Sequence, residues 1–90
     1  MAWKITFEES AKKELLALDR KAQTEIVQYL RSRIAMDDAP RRFGAPLRKE
    51  LAGLWKYRVG NYRVICDIKD EEVTVLIIRI GHRSKVYGGH

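Results

Sequence analysis

The sequence predicts an α+β domain: an N-terminal strand, a two-helix hairpin, then a three-stranded antiparallel meander, with the helices on one sheet face. Three observations carry this. Apolar residues recur at helical spacing early in the chain and alternate at strand spacing late in it. Gly60-Asn61 stands between two alternating runs, where a hairpin turn belongs.

Residues 2–7 alternate, with Trp3, Ile5 and Phe7 on one side and Lys4 and Thr6 on the other, the pattern of a half-buried strand. Glu8 or Ser10 then opens a helix whose apolar stripe is Ala11, Leu15 and Leu18. Asp19 is suited to cap a second helix, with Ala22, Ile26, Tyr29, Leu30 and Ile34 facing the core. Residues 37–47, DDAPRRFGAPL, hold both prolines and a glycine and are expected to form a loop. Strands are expected over 54–59, 62–69 and 73–80, with turns at Gly60-Asn61 and at 69–72. Gly81 follows the last strand and is expected to turn the backbone sharply.

The hairpin fixes which side chains share a face. A turn of Gly60 and Asn61 sets Val59 opposite Tyr62, so Arg58 lies opposite Arg63 and Lys56 lies on the same face. Trp55, Tyr57, Val59, Val64, Cys66 and Ile68 then form the core face. A slip of one residue would bury the cations, which specifies the register. Like charges directly opposed cost about 0.2–1 kcal/mol, so a sheet that keeps them is suited to receive an anion. Arg63 is expected to serve no core.

A chain of 90 residues fits one domain, residues 1–90. With 46% hydrophobic and 33% charged residues the composition is that of a globular protein. Cys66 stands alone, so no internal disulfide forms, as suits a reducing cytoplasm. MAWKITFEES is charged too early for a signal peptide, and no apolar run approaches the roughly 18 residues of a membrane span. The expected location is therefore the cytoplasm.

The net charge of +6 is unevenly placed. Residues 1–30 hold five Lys/Arg and five Asp/Glu, whereas residues 31–90 hold thirteen against seven. Arg41 to Arg63 includes seven basic residues and one acid, Glu50. Such a basic surface is the footprint of a polyanion partner, or else a solvated face with a general solubility role. His82, His90 and Cys66 make no metal-ligand set, and no cofactor is expected. Past Gly81 comes His82-Arg83-Ser84-Lys85-Val86-Tyr87. Arg83 offers a planar fork for a phosphate, and Tyr87 a phenol that can exchange a proton or stack.

The pattern W-K-Y-R-V-G-N-Y-R-V, an acidic turn, an apolar strand and G-H-R-x-x-V-Y resembles the RelE branch of the RelE/ParE toxin superfamily. The likeness covers nearly the whole chain, and its specific part lies in the C-terminal portion. It implies the toxin of a type II toxin–antitoxin system: a ribonuclease that cuts messenger RNA in the ribosomal A site and is silenced by a partner antitoxin in a hetero-oligomer. The family's first catalytic lysine falls on Lys56, and its second on Arg58, which keeps the charge but not the residue. Its next-strand arginine falls on Arg63, and its late tyrosine on Tyr87. Its arginine after the strand-ending glycine falls on Arg83, with Arg79, before the glycine, as the alternative. Arg41, Arg42, Arg48, Lys49, His82 and Lys85 are then the expected RNA or ribosome contacts. Other branches use a histidine and a glutamate as acid and base; His82 has no evident glutamate partner and reads first as a surface turn residue. Two other readings stay open: a ParE-like inhibitor of DNA gyrase that cuts no RNA, and a binding module whose basic face docks an acidic partner.

Overall fold

The alternating N-terminal run forms β1, Lys4–Phe7, in a computed structural model that describes residues 3–36 and 39–84. Its Ile5 and Phe7 pack against the core, as the alternation predicts. The chain then enters α1, Glu9–Leu16, from Glu8, which caps it without a side-chain bond. Asp19 caps α2, Arg20–Tyr29, by accepting the Ala22 amide at 2.7 Å, which satisfies one of the helix's orphan donors. Leu30–Ile34 continue α2 as a π-helical turn. Ala11, Leu15, Ile26, Leu30 and Ile34 are buried in one cluster, with Leu18 and Tyr29 packed at its margin.

Residues 37–47 are more ordered than a plain loop, apart from 37 and 38, which lie outside the described residues. Pro40–Phe43 form a 3-10 turn and Ala45–Pro46 a short strand, β2. β2 pairs antiparallel with β3, Trp55–Val59, through Ala45 opposite Lys56 and Pro46 opposite Trp55. A proline is tolerated there because β2 is the outermost strand and its outer edge needs no amide donor. So short a segment leaves no alternation to read.

β4, Tyr62–Lys69, and β5, Thr74–His82, complete a sheet of five strands in the order β1-β5-β4-β3-β2. β1 runs parallel to β5 and the other pairs are antiparallel. The hairpin has the predicted register, with Val59 opposite Tyr62 and Arg58 opposite Arg63. Gly60 takes φ +60 while Asn61 stays out of the left-handed region, the pattern of a type II′ turn. A Cβ on Gly60 would also stand 3.1 Å from the Glu25 carboxylate. At the other turn Asp70–Glu72 form a 3-10 segment, and Val73 follows at φ 50, a strained conformation for a β-branched residue. The Val73 carbonyl accepts the Lys4 amide at 2.9 Å, which ties β1 to that turn.

The expected sharp turn at Gly81 is not there. β5 continues to His82, and Gly81 pairs with Arg63 inside the sheet. The chain turns afterwards, where the Arg83 amide donates to the Asn61 carbonyl at 2.8 Å. β5 also carries a bulge. Cys66 pairs with Ile77 but Ile65 pairs with Arg79, which leaves Ile78 as the extra residue.

One face of the sheet joins the helices in the core through Tyr57, Val59, Val64, Cys66, Ile68, Val75, Ile77 and Ile80. α1 lies along β5, and α2 reaches β3. Ile65 is buried too but belongs to the opposite face, by its pairing with Lys56.

Candidate active site

Opposed residues of adjacent strands share a face, so the register alone assembles the basic surface. Across β3, β4 and β5 one row runs Lys56, Ile65, Arg79 and the next runs Arg58, Arg63, Gly81. The two rows put Lys56, Arg58, Arg63 and Arg79 on the sheet face opposite the one that packs against α1 and α2. Lys56 is half-buried, and Arg58 and Arg79 are exposed.

Arg63 departs from expectation: it is 8% exposed, so it is a buried residue and not a free surface cation. Its Nη1 donates to the carbonyls of Gly60 at 3.2 Å and Tyr62 at 3.0 Å. The guanidinium is thus folded back onto the turn, with Nη1 shared between two of its carbonyls. This makes Arg63 a brace for the turn that presents Arg58.

Arg83 is exposed, but its backbone is tied to Asn61, so it stands beside the hairpin turn that follows Arg58 and precedes Arg63. Lys56, Arg58, Arg63 and Arg83 are thus gathered by β3, β4 and the end of β5. Tyr87 and Lys85 lie outside the described residues.

His82 goes elsewhere. Its register partner is Tyr62, which places it on the face opposite the cations. The two rings meet edge to face, with centroids 5.9 Å apart. Its Nδ1 lies 2.9 Å from the Ser84 Oγ and 3.2 Å from the Ser84 amide nitrogen, so the ring closes a local turn.

The remaining basic residues are spread out. Arg41 makes a two-pronged bond to Asp70, Nη1 to Oδ1 at 2.9 Å and Nη2 to Oδ2 at 2.7 Å, and its guanidinium stands 5.6 Å from the Trp55 ring centroid. Hydrogen bonding to Asp70 raises the Arg41 pKa, and the same bond holds the Asp70 carboxyl below the usual carboxylate range. Arg41 is therefore committed to joining the 40–43 turn to the β4–β5 turn. Arg42 is exposed on the same 3-10 turn, and Arg48 and Lys49 are exposed near the start of β3, at the far end from the hairpin turn.

Beneath the site the opposite side of β3 and β4 is buried. The Tyr57 hydroxyl donates to the Pro40 carbonyl at 2.8 Å. Burial raises the Tyr57 pKa well above its ordinary value and pushes the Cys66 thiol up to about 12, so both stay protonated in the core. Among the described residues no group of three His, Cys, Asp or Glu side chains comes together as a metal site, and no helix is long and apolar enough to cross a membrane.

Residues 5–87 match the family described as ParE toxin of type II toxin-antitoxin system, parDE. The chain belongs to this family. As a whole chain the toxin is 34% identical over 87 residues to toxin RelG of Mycobacterium tuberculosis, covering 97% of this chain and 98% of the relative. Its fold is similar to that in the crystal structure of the toxin–antitoxin complex RelBE2 from the same organism, with a TM-score of 0.85, 33% identity and coverage of 94% and 95% of the two chains. Isolated E. coli RelE is similar at a TM-score of 0.61 and 25% identity, over 90% of this chain and 84% of that one. The resemblance read from the hairpin and the G-H-R-x-x-V-Y segment is therefore that of a true family member.

Proposed function

We propose that the toxin is a metal-independent endoribonuclease that cuts messenger RNA in the ribosomal A site, and that a cognate antitoxin silences it in the cytoplasm. The observation that supports this reading is the gathering of Lys56, Arg58 and Arg63 on one sheet face, with Arg83 tied to the same hairpin turn. RNA supplies its own nucleophile. The 2′-oxygen attacks the adjacent phosphorus as its proton leaves, the bond from phosphorus to the 5′-oxygen breaks, and that oxygen gains a proton. The products are a 2′,3′-cyclic phosphate and a 5′-hydroxyl. The enzyme needs to align the nucleotide, stabilise the added negative charge on the phosphorane and move two protons.

Lys56 and Arg58 serve the charge on the phosphorane, with Arg63 holding the turn and adding its own field. One preorganised group of this kind is worth roughly 10²–10³ in rate. Arg83 serves the leaving oxygen, and Tyr87 takes the 2′ proton. A tyrosine's reference pKa near 10 is high for a base, and neighbouring cations lower it by favouring phenolate. The antitoxin acts by covering the cationic face or by displacing the segment that carries Tyr87.

The ParE name of the matched family keeps one other activity in view, gyrase inhibition without RNA cleavage. Cleavage on programmed ribosomes, set beside gyrase supercoiling with the same purified toxin, decides between them. The expected result is ribosome-dependent cleavage with cyclic-phosphate ends and unaffected supercoiling. Tyr87→Phe should then lose about 10²–10⁴ in single-turnover rate at an unchanged melting temperature. Equal rates for the two proteins would return Tyr87 to a packing role, and supercoiling inhibition without cleavage would overturn the nuclease reading.

A further inference from the structure

The bulge in β5 decides which side chains reach the cationic face. Before it, Cys66 pairs with Ile77, and after it Ile65 pairs with Arg79, Val64 with Ile80 and Arg63 with Gly81. Without the extra residue the pairing would set Arg79 opposite Val64, inside the core, and Ile80 opposite Arg63, among the cations. With it, Ile80 is 2% exposed in the core, and Arg79 joins the row of Lys56 and Ile65. The same shift fixes the path of Gly81, His82 and Arg83.

Core patterning already disfavours slipping back by one residue, which would bury Arg79, and a contact just past the bulge adds to that. β1 ends at Phe7, opposite Ile77, so among the described residues β5 has no strand on that side beyond that point. Glu14 of α1 takes the strand's place. Its Oε1 accepts the Ile80 amide at 2.8 Å, and its Oε2 lies 3.6 Å from the Arg79 Nε. One carboxylate thus touches two consecutive residues just past the bulge. A carboxylate accepting a backbone amide is roughly twice as strong as a neutral bond. The contact with Arg79 is largely solvent-exposed and adds little by itself.

We propose that Glu14 is a positioning residue for the cationic face. It pins the β5 bulge through the Ile80 amide and so keeps Arg79 out of the core and the Gly81-His82-Arg83 segment on its path to Asn61. This rests on the ribonuclease reading above for its effect on rate, but not for its effect on the strand. Glu14 touches no substrate; it acts through the backbone.

The test uses full-length toxin released from its antitoxin, with Glu14→Gln and Glu14→Leu compared. Gln keeps an acceptor for the Ile80 amide and removes the charge; Leu keeps bulk and helix propensity and removes the acceptor. Hydrogen exchange at the Ile80 amide should be near wild type in Glu14→Gln and much faster in Glu14→Leu. Single-turnover cleavage should fall by about tenfold or more in Glu14→Leu and stay within about threefold in Glu14→Gln, with the loss in kcat and not in KM, as misplacement of a site predicts. If Leu is not tolerated, Glu14→Met carries the same expectation. Unchanged Ile80 exchange in the non-accepting variant overturns the proposal, as does a Gln variant that falls as far as Leu. A wild-type toxin that cleaves nothing overturns the ribonuclease reading alone, and the Ile80 amide then decides the role of Glu14.

Discussion

The two faces of β3 and β4 are cut from the same short runs, yet they are held in opposite ways. On one, Tyr57, Val59, Val64 and Cys66 are buried in one cluster with residues of both helices, and Tyr57 is bonded to Pro40 besides. On the other, no helix among the described residues covers Lys56, Arg58 and Arg79, and their placement comes from the backbone: a type II′ turn, a fixed register and a bulge. Packing alone would tolerate many cations on the open face; the register permits only these. Neighbouring residues along one strand should therefore fail in different ways, the core set by unfolding and the open set by losing chemistry.

The sharpest break in that contrast is at adjacent residues of β3. Tyr57 has no exposed surface, and Tyr57→Ala should cost about 4 kcal/mol, as large aromatic truncations in cores do. Small domains have roughly 5–15 kcal/mol in all, so this variant should be close to unfolded at growth temperature. Denaturant unfolding measures it directly. A loss below about 1 kcal/mol would mean that this face is far less tightly packed than its burial implies.

Arg58 and Arg63 sharpen the contrast within the open face. Arg58 is exposed, so Arg58→Ala should leave the melting temperature unchanged and cut cleavage by about 10²–10³. Arg63 is buried and bonded to two carbonyls of the turn, so Arg63→Ala should lose a similar factor in rate and also about 1 kcal/mol of stability. Equal melting temperatures for the two variants would show that Arg63 does not brace the turn.

The sequence made the opposition of Arg58 and Arg63 legible because two local facts determine it: the turn residues and the alternation of Tyr57, Val59 and Val64. The helix stripes were legible for the same reason. What stayed hidden depends on contacts distant in the chain. β2 is too short to alternate and exists because β3 offers it an edge. The burial of Arg63 depends on where its guanidinium folds, not on its place in the pattern. Gly81 reads as a turn by residue type, but the bulge at Ile78 and the acceptor on Glu14 carry the strand through it. Arg41 looks like one more RNA contact until Asp70, from the β4–β5 turn, is brought against it. In the site itself, Arg79 reads only as an alternative to Arg83, because nothing in the alternation announces a bulge.

The smallest expected effect lies on the packed face and appears only at alkaline pH. Burial pushes the Cys66 thiol from its reference of 9.0 up to about 12. Burial likewise raises Tyr57 above its reference of 10.0. Both groups hold their protons more tightly folded than unfolded. As pH rises past 9 the unfolded chain is therefore first to lose the Cys66 proton, and stability falls with pH. The Cys66 contribution is fully present below about pH 9 and drains away between there and about 12. Tyr57 adds its share from about 10 upward. Melting temperatures taken from pH 8 to 11 should fall for the wild type from near pH 9. Cys66→Ala should begin lower, because a buried group is lost, but stay flat for about one pH unit longer, until the Tyr57 share sets in. Parallel curves for the two proteins would mean that the thiol ionises as readily folded as unfolded, and that the core beneath the cationic face admits more water than its burial indicates.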